Sequence, residues 1–362
     1  MSENKKLKKS VSITCWAAGA VITVFALVLC FIAMPYKPRD ISGILSVRGL
    51  FLTAGLLLVA LGFYFYPTIK HKGIINVLFM LPVLIPFTLT ILVPFVLGVF
   101  YSFTDWDGSY VNKFVGFANY TDFFKAPDYI NSILMTFIFS IINIVVVNVV
   151  AFSLSLLVTQ KLKGKDIYRA AYFVPNLIGG IVLGYVWQFV FNYFFVSIGN
   201  SAGLENPQSL LVSTNGATAA MIIVSTWQYA GYIMMIYVTA LQGIPTSVIE
   251  ASVIDGAGGW KRMTAIVMPM ISHAFTICIF LTLVNSFKQF DLNLSLTNGG
   301  PSKMFMGRAI NGTELQALNI YKTAITRNKW ALGQAKSVVF FIILAVVSML
   351  QVSFSKRHEE EA

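Results

Sequence analysis

Glu250-Ala251-Ser252-Val253-Ile254-Asp255-Gly256-Ala257, followed shortly by Ile266-Val267-Met268-Pro269, reads as two short amphipathic pieces hinged at Gly256. Pro245 stops the helix before it, and Ser247 stands where it can cap a short new helix carrying Glu250 and Ala251. Gly256, with Ala257, Gly258 and Gly259 behind it, permits a tight turn and close approach by another backbone. Trp260 and Met263 add apolar surface, while Lys261 and Arg262 suit headgroups or a partner. Pro269 restarts the chain into a long apolar run, and another such run ends just before Pro245. The hinge is therefore a polar connector between membrane-length segments, and the rest of the chain follows from that setting.

Composition agrees. Of 362 residues, 57% are hydrophobic and 11% charged, against about 25% charged in a soluble domain. A formal charge of +11 suggests nucleic acid only if Lys and Arg share one face. Here they sit in short clusters between apolar runs, so a nucleic-acid partner is not expected. Eight segments are long enough to cross a bilayer, near 11–34, 47–66, 74–101, 130–159, 169–193, 216–241, 265–287 and 332–354. The first is too long for a cleaved signal core of roughly 7–15 residues, so an uncleaved span is expected. Cys15, Cys30 and Cys278 lie inside apolar runs, and with the scattered His71, His273 and His358 they form no metal motif. No internal repeat stands out.

Orientation follows from Lys and Arg beside the spans. With the N-terminus inside, cytoplasmic segments carry Lys5, Lys6, Lys8, Lys9, Lys70, Lys72, Lys161, Lys163, Lys165, Arg169, Lys261, Arg262, Lys356 and Arg357. The outer segment 102–130 carries Asp105, Asp107, Asp122 and Asp128. The loop 288–331 runs against the rule with six Lys/Arg, but long translocated loops obey it poorly. Both termini are expected in the cytoplasm.

The opening stretch resembles the EAA loop of binding-protein-dependent ABC importers: Glu-Ala-Ala, three residues, Gly, nine residues, then Ile-x-Leu-Pro. Glu250, Ala251, Gly256, Ile266 and Pro269 match at that spacing, with Ser252 and Met268 as small departures. Further runs resemble the carbohydrate branch: Ala170-Ala171-Tyr172-Phe173-Val174-Pro175-Asn176-Leu177, Trp187 with Phe191-Asn192, Leu296-Thr297-Asn298-Gly299-Gly300-Pro301, and Tyr321, Thr323-Ala324 and Gly333. The chain looks like the larger permease subunit of maltose-type importers.

The resemblance implies an all-α membrane protein of eight transmembrane helices with the type I ABC importer permease fold, in a bacterial inner membrane. It divides the chain into an N-terminal two-helix extension (1–73), a six-helix core (74–355) containing the coupling loop 242–264, and a cytoplasmic tail (356–362). In this family the short helix docks on a separate ATPase. That assigns coupling to Glu250, Ala251, Ser252, Asp255, Gly256, Ala257 and Pro269. The implied partners are a second permease subunit in a heterodimer, an ATPase dimer that binds ATP and magnesium, and an extracytoplasmic substrate-binding protein; this chain itself is expected to hold no cofactor. The short connector between the third and fourth spans leaves no room for the extra outer domain of some relatives.

A sugar path should appear as polar and aromatic side chains inside spans. The seventh span offers Thr282, Asn285, Ser286 and Gln289 at helical offsets, and the sixth Gln228, Tyr229 and Tyr232. The resemblance places sugar-lining positions on these two helices; hydrogen bonding between helices is the alternative use of such groups. Asn143 and Asn148 suit packing, and Lys288 and Asp291 suit an i,i+3 pair at the mouth. An ion-coupled secondary transporter would carry midplane carboxylates; none of the eight segments contains Asp or Glu. A membrane enzyme would need a nucleophile with its base, and an ATPase a phosphate-binding Gly-rich loop; neither pattern occurs. No catalytic residue is assigned, and the cargo is left open between a di- or oligosaccharide and an anionic solute such as glycerol phosphate or an acidic sugar.

Overall fold

The structure, a computed structural model, describes residues 2–33, 48–65, 72–160, 163–203 and 206–360. Contacts divide it into two compact units, Met1–Leu97 and Gly98–Ala362.

In the first unit, α1 (Ser2–Ala33) packs against α2 (Arg48–Phe65). The lysine-rich stretch before the first apolar run is already helical, so α1 starts earlier than the expected span. Small residues allow the pair to approach closely: Ser12 Oγ donates to the Gly62 carbonyl at 2.6 Å, and Gly19, Ala26 and Gly55 are buried. α3 comprises Lys72–Phe87, a π-turn Thr88–Leu92 and Val93–Tyr101. The π-turn ends two residues before Pro94, which lacks an N–H and crowds the carbonyl four residues back, inside that turn.

The second unit begins with a loop whose two carboxylates do backbone work. Asp105 Oδ1 accepts from the N–H groups of Lys113 (2.9 Å) and Asn112 (3.0 Å), and Asp107 Oδ1 from Tyr110 and Ser109 (2.9 Å each). The Lys113 amide foremost holds the Asp105 carboxyl below the usual carboxylate range, and the Tyr110 amide does the same for Asp107. α4 (Ala118–Phe124) then leads into α5 (Pro127–Thr159).

α5 is inside-out relative to a soluble helix. Its buried positions include Ser132, Thr136, Ser140, Asn143, Val147, Ala151, Ser155 and Val158, a stripe recurring every three or four residues. Leu134, Ile138, Ile141, Ile142, Val145 and Val149 are exposed on other faces, suited to lipid or to a neighbouring subunit. Small and polar residues face the bundle because hydrocarbon offers helices no hydrophobic drive to associate; close packing and hydrogen bonds must hold them.

Next come α6 (Lys165–Phe173), a 3-10 turn Val174–Leu177, α7 (Gly180–Ser201), α8 (Thr214–Gln242), α9 (Thr246–Ile254), α10 (Gly259–Met270) and α11 (Ser272–Phe287). A hairpin of β1 (Ser302–Phe305) and β2 (Arg308–Asn311), registered Ser302 to Asn311, precedes α12 (Gln316–Tyr321) and α13 (Trp330–Glu360). The core lies where α5, α8 and α11 meet, with Val147, Ile233, Met234, Tyr237, Ile271 and Cys278 in one cluster. A second cluster joins Phe139, Leu183, Phe191, Met221, Leu292 and Leu296.

Several expectations shift. The span placed at 169–193 starts at Gly180 and runs to Ser201; Pro175 and the extended backbone of Gly179 detach α6 as a separate amphipathic helix. The span placed at 265–287 is bent by 72° between α10 and α11 at Ile271, just after Pro269. The hairpin departs from an all-α expectation, although it is confined to eight residues. Ser247 lies inside the first turn of α9, where Pro245 holds the N-cap position without a side-chain bond. Lys288 and Asp291 form no ion pair; Asp291 packs instead on Gly180. Among the described residues, five helices are long and apolar enough to cross a membrane, six if the bent pair is one span, and the first unit adds the shorter apolar stretches Val11–Ala26 and Gly49–Gly62.

Gly231 marks a crossing where backbone meets backbone: a Cβ there would sit 1.8 Å from the Tyr172 carbonyl oxygen. Gly231→Ala is expected to lower the thermal midpoint of the purified protein through a loss of about 1–3 kcal/mol, the usual cost of overpacking; an unchanged midpoint would sink the contact. The loop carboxylates give a pH test. Both folded-state values are depressed, so their contribution is complete above about pH 4, the unfolded carboxylate value, and disappears as pH falls through the lower folded values. Hydrogen exchange at Lys113 and Tyr110 should stay slow down to that pH and accelerate only below it.

Candidate functional site

The hinge quoted first is a two-sided structure. α9 ends in a Schellman motif: the Gly256 N–H donates to the Val253 carbonyl (3.1 Å) and the Ala257 N–H to the Ser252 carbonyl (2.9 Å). Gly256 occupies the left-handed region with φ +76°, and a Cβ placed there meets nothing within 4 Å. The requirement for glycine is therefore conformational, and the space above it is open to another chain. Ser252 is the buried anchor of the helix, donating to Ile249 O at 2.6 Å. Glu250, Ala251 and Asp255 are exposed, Ala257 is half-buried, and Ile254 and Trp260 are 85% and 82% exposed. Pro269 stands within α10, two residues before the bend. A cleft of about 640 Å³ behind α9 is lined by Thr159, Leu241, Ile249, Glu250, Met263 and Val267 among others.

The polar stripe of α11 divides. Asn148 Nδ2 donates to Thr282 Oγ1 at 2.9 Å, and Asn148 Oδ1 accepts from Tyr237 Oη at 2.8 Å, so one amide ties α5, α8 and α11 together. Asn143 Nδ2 donates to Ser286 Oγ at 2.8 Å, which leaves its buried Oδ1 without a partner. Thr282 and Ser286 thus engage the helix bundle. Gln228 Nε2 donates to the Ile178 carbonyl at 3.1 Å. Tyr229 and Tyr232 pack half-buried on the cluster that contains Ile233 and Cys278. The side chains of Asn285, half-buried, and Gln289, buried, make no hydrogen bond to another described residue.

A charged network near the start of α13 escaped the sequence reading. Glu314, buried, accepts from Asn311 Nδ2 (2.7 Å), Asn319 Nδ2 (2.7 Å) and Lys322 Nζ (3.0 Å). Asn319 uses its other amide atom to accept from Lys336 Nζ at 2.7 Å, and Thr323 Oγ1 accepts from the same ammonium at 2.9 Å. Lys336 is 2% exposed and stands 5.4 Å from the Tyr129 ring centroid. Asp128 pairs with Arg327 at 2.9 Å. The available signal was the single cation inside the last apolar run, since an ionisable group at such a place is rarely idle.

Residues 160–359 match a family described as the inner membrane component of binding-protein-dependent transport systems. The chain belongs to this family. The permease is 42% identical over 290 residues to AmyD of Thermoanaerobacterium thermosulfurigenes, named for the transport of starch degradation products, covering 80% of this chain and 97% of that one. It is 30% identical over 264 residues to the multiple sugar-binding transport system permease MsmF of Streptococcus mutans, covering 72% and 88%. A bacterial alginate ABC transporter, solved with its alginate pentasaccharide-bound periplasmic protein, contains a chain of the same fold with TM-score 0.68 at 16% identity, covering 80% of this permease and 96% of that chain. The resemblance to carbohydrate-branch permeases is borne out, and the permease is a multi-pass membrane protein.

Lys336→Met leaves the Asn319 and Thr323 acceptors unpaired in a buried site, at an expected cost of about 1–3 kcal/mol. Glu314→Leu removes the acceptor shared by Asn311, Asn319 and Lys322, leaving Lys322 only the Asn298 carbonyl, and should cost more, since about 1–3 kcal/mol attaches to each buried donor left unsatisfied. Thermal midpoints of the two variants in one detergent compare them; the reverse order would overturn this account of the network.

Proposed function

We propose that this permease carries a di- or oligosaccharide through the membrane, receiving it from an extracytoplasmic binding protein. Force comes from a separate ATPase dimer acting on the loop 242–264. The observation that carries the coupling is the exposed α9 with its Gly256 turn: an anionic side chain, an uncovered apolar pair and a fixed pivot face outward where no described residue covers them. In this reading Glu250, Ala251, Ser252, Asp255, Gly256, Ala257 and Pro269 form the joint, eight helices cross the bilayer with both termini cytoplasmic, and a second permease subunit completes the pathway. Residues 1–73 extend a core of 74–355, 356–362 form a tail, and ATP and magnesium belong to the ATPase.

Sugar as cargo is supported by the names of the starch-product and multiple-sugar relatives. Among the polar candidates, Tyr229, Tyr232, Asn285 and Gln289 remain available to cargo in addition to their packing, with the unpaired Asn143 Oδ1 as an acceptor. Gln228, Thr282 and Ser286 contribute by holding that face in place. An anionic cargo is the second reading. A glycerol-3-phosphate permease of Rhizobium meliloti is 28% identical over 249 residues, and Lys288 is exposed with no ion-pair partner among the described residues.

Uptake by the reconstituted transporter tests both halves. Gly256→Val forces a β-branched residue into the left-handed region; uptake should fall at least tenfold while membrane insertion is unchanged, and normal uptake would refute the joint. Gln289→Ala with Tyr232→Ala should slow sugar uptake severalfold, whereas intact sugar uptake together with a Lys288→Gln defect in phosphate-ester or uronate uptake would favour the anionic cargo.

A further inference from the structure

We propose that α6 and the groove beside it form a binding site for an anionic phospholipid. α6 is a nine-residue helix with polar Lys165, Asp166 and Arg169 on one side and Ile167, Tyr168, Ala171 and Tyr172 on the other. It stands between the end of α5 at Thr159 and the start of α7 at Gly180, where the chain leaves one apolar span and enters the next. Ile167 is 74% exposed and Tyr168 51%, and no described element covers them. Lys163 and Lys165 are exposed beside them.

The charge is poorly neutralised within the chain. Asp166 is the only acidic residue of the segment, and it reaches Arg169 Nη1 at a long 3.4 Å. Arg169 itself is largely buried, its Nε and Nη2 enclosed and without a hydrogen-bond partner, so the exposed cations here are Lys163 and Lys165. Lys163 and Lys165 therefore remain as an exposed basic edge between two apolar spans, and juxtamembrane basic residues of this kind attract anionic lipid. Tyr168 and Tyr172 also line a groove of about 700 Å³ whose other walls include Val150, Leu154, Ile223 and Trp227. One short helix that carries an exposed basic edge and also walls an apolar groove asks for one molecule with an anionic head and a hydrocarbon tail. A phospholipid meets both demands; a soluble anion meets only the first, and a helix of a second subunit only the second.

The test uses the assembled transporter in detergent with phosphatidylglycerol and phosphatidylcholine at equal concentration, and bound lipid read by native mass spectrometry. Phosphatidylglycerol should be retained about tenfold over phosphatidylcholine at low salt. Lys163→Gln with Lys165→Gln should bring it near parity, and so should raised salt, which screens exposed charges. Both lysines are exposed, so assembly is checked by size exclusion alone. In a second arm, phosphatidylglycerol with brominated tails should quench the fluorescence contributed by Trp227, defined as the difference from Trp227→Phe. Equal retention of both lipids by the unaltered protein, or undiminished retention by the lysine variant, would overturn the site. So would displacement of the lipid by inorganic phosphate at matched ionic strength, or loss of the ATPase subunit with lipid unchanged, which would make the edge a protein-docking surface.

Discussion

One side-chain amide sets the alignment of three helices at the core of the second unit. Asn148 lies in α5, takes the Tyr237 hydroxyl of α8 on its oxygen and gives an N–H to Thr282 of α11. In hydrocarbon an unpaired amide is expensive, so these three helices are held in one register by the cost of letting go. Hydrogen bonds of this kind between helices average only about 0.6 kcal/mol each in membranes. The clamp works because it coincides with close packing of Val147, Ala151, Met234 and Cys278 in the same layer. Specificity of alignment, more than strength, is what the amide supplies.

Two ends of the molecule depend on that alignment in different ways. Toward α9, the bundle presents a short helix anchored by Ser252 and finished by the left-handed Gly256, rigid in itself and bare on its outer face. Near the start of α13, Glu314, Asn319, Lys322 and Lys336 are bonded to one another, with Asp128 and Arg327 adjacent. The first end is finished internally and open externally. The second is bonded internally and ties the loop after α11 to α5 and α13.

Much of this was legible in the sequence because it rests on local chemistry. The spacing from Glu250 to Pro269 located the hinge, and the long apolar runs located most of the helices. Boundaries failed where a proline lay within or next to an apolar run: Pro175 and Gly179 separate α6 from α7, and Pro269 precedes the bend before α11, yet neither changes the average hydropathy. Lys336 was overlooked for the same reason, since one ammonium barely alters the mean of a long apolar run. Its partners come from residues 314–323, in a loop whose fold no periodicity announced. Offsets along α11 placed Thr282 and Ser286 on one face correctly, but periodicity could not say whether that face met cargo or Asn143 and Asn148.

The bend at Ile271 turns α10 into a crank arm. Its twelve residues span about 18 Å at 1.5 Å per residue. A rotation of roughly 10° about the elbow would therefore carry the α9 end through about 3 Å, close to a hydrogen-bond length. In the proposed coupling, a push of a few ångströms on α9 would turn α11 slightly rather than slide it along its axis. The axial position of Thr282 against Asn148 would then be conserved while the faces turn, so the clamp acts as a bearing as well as a fastener.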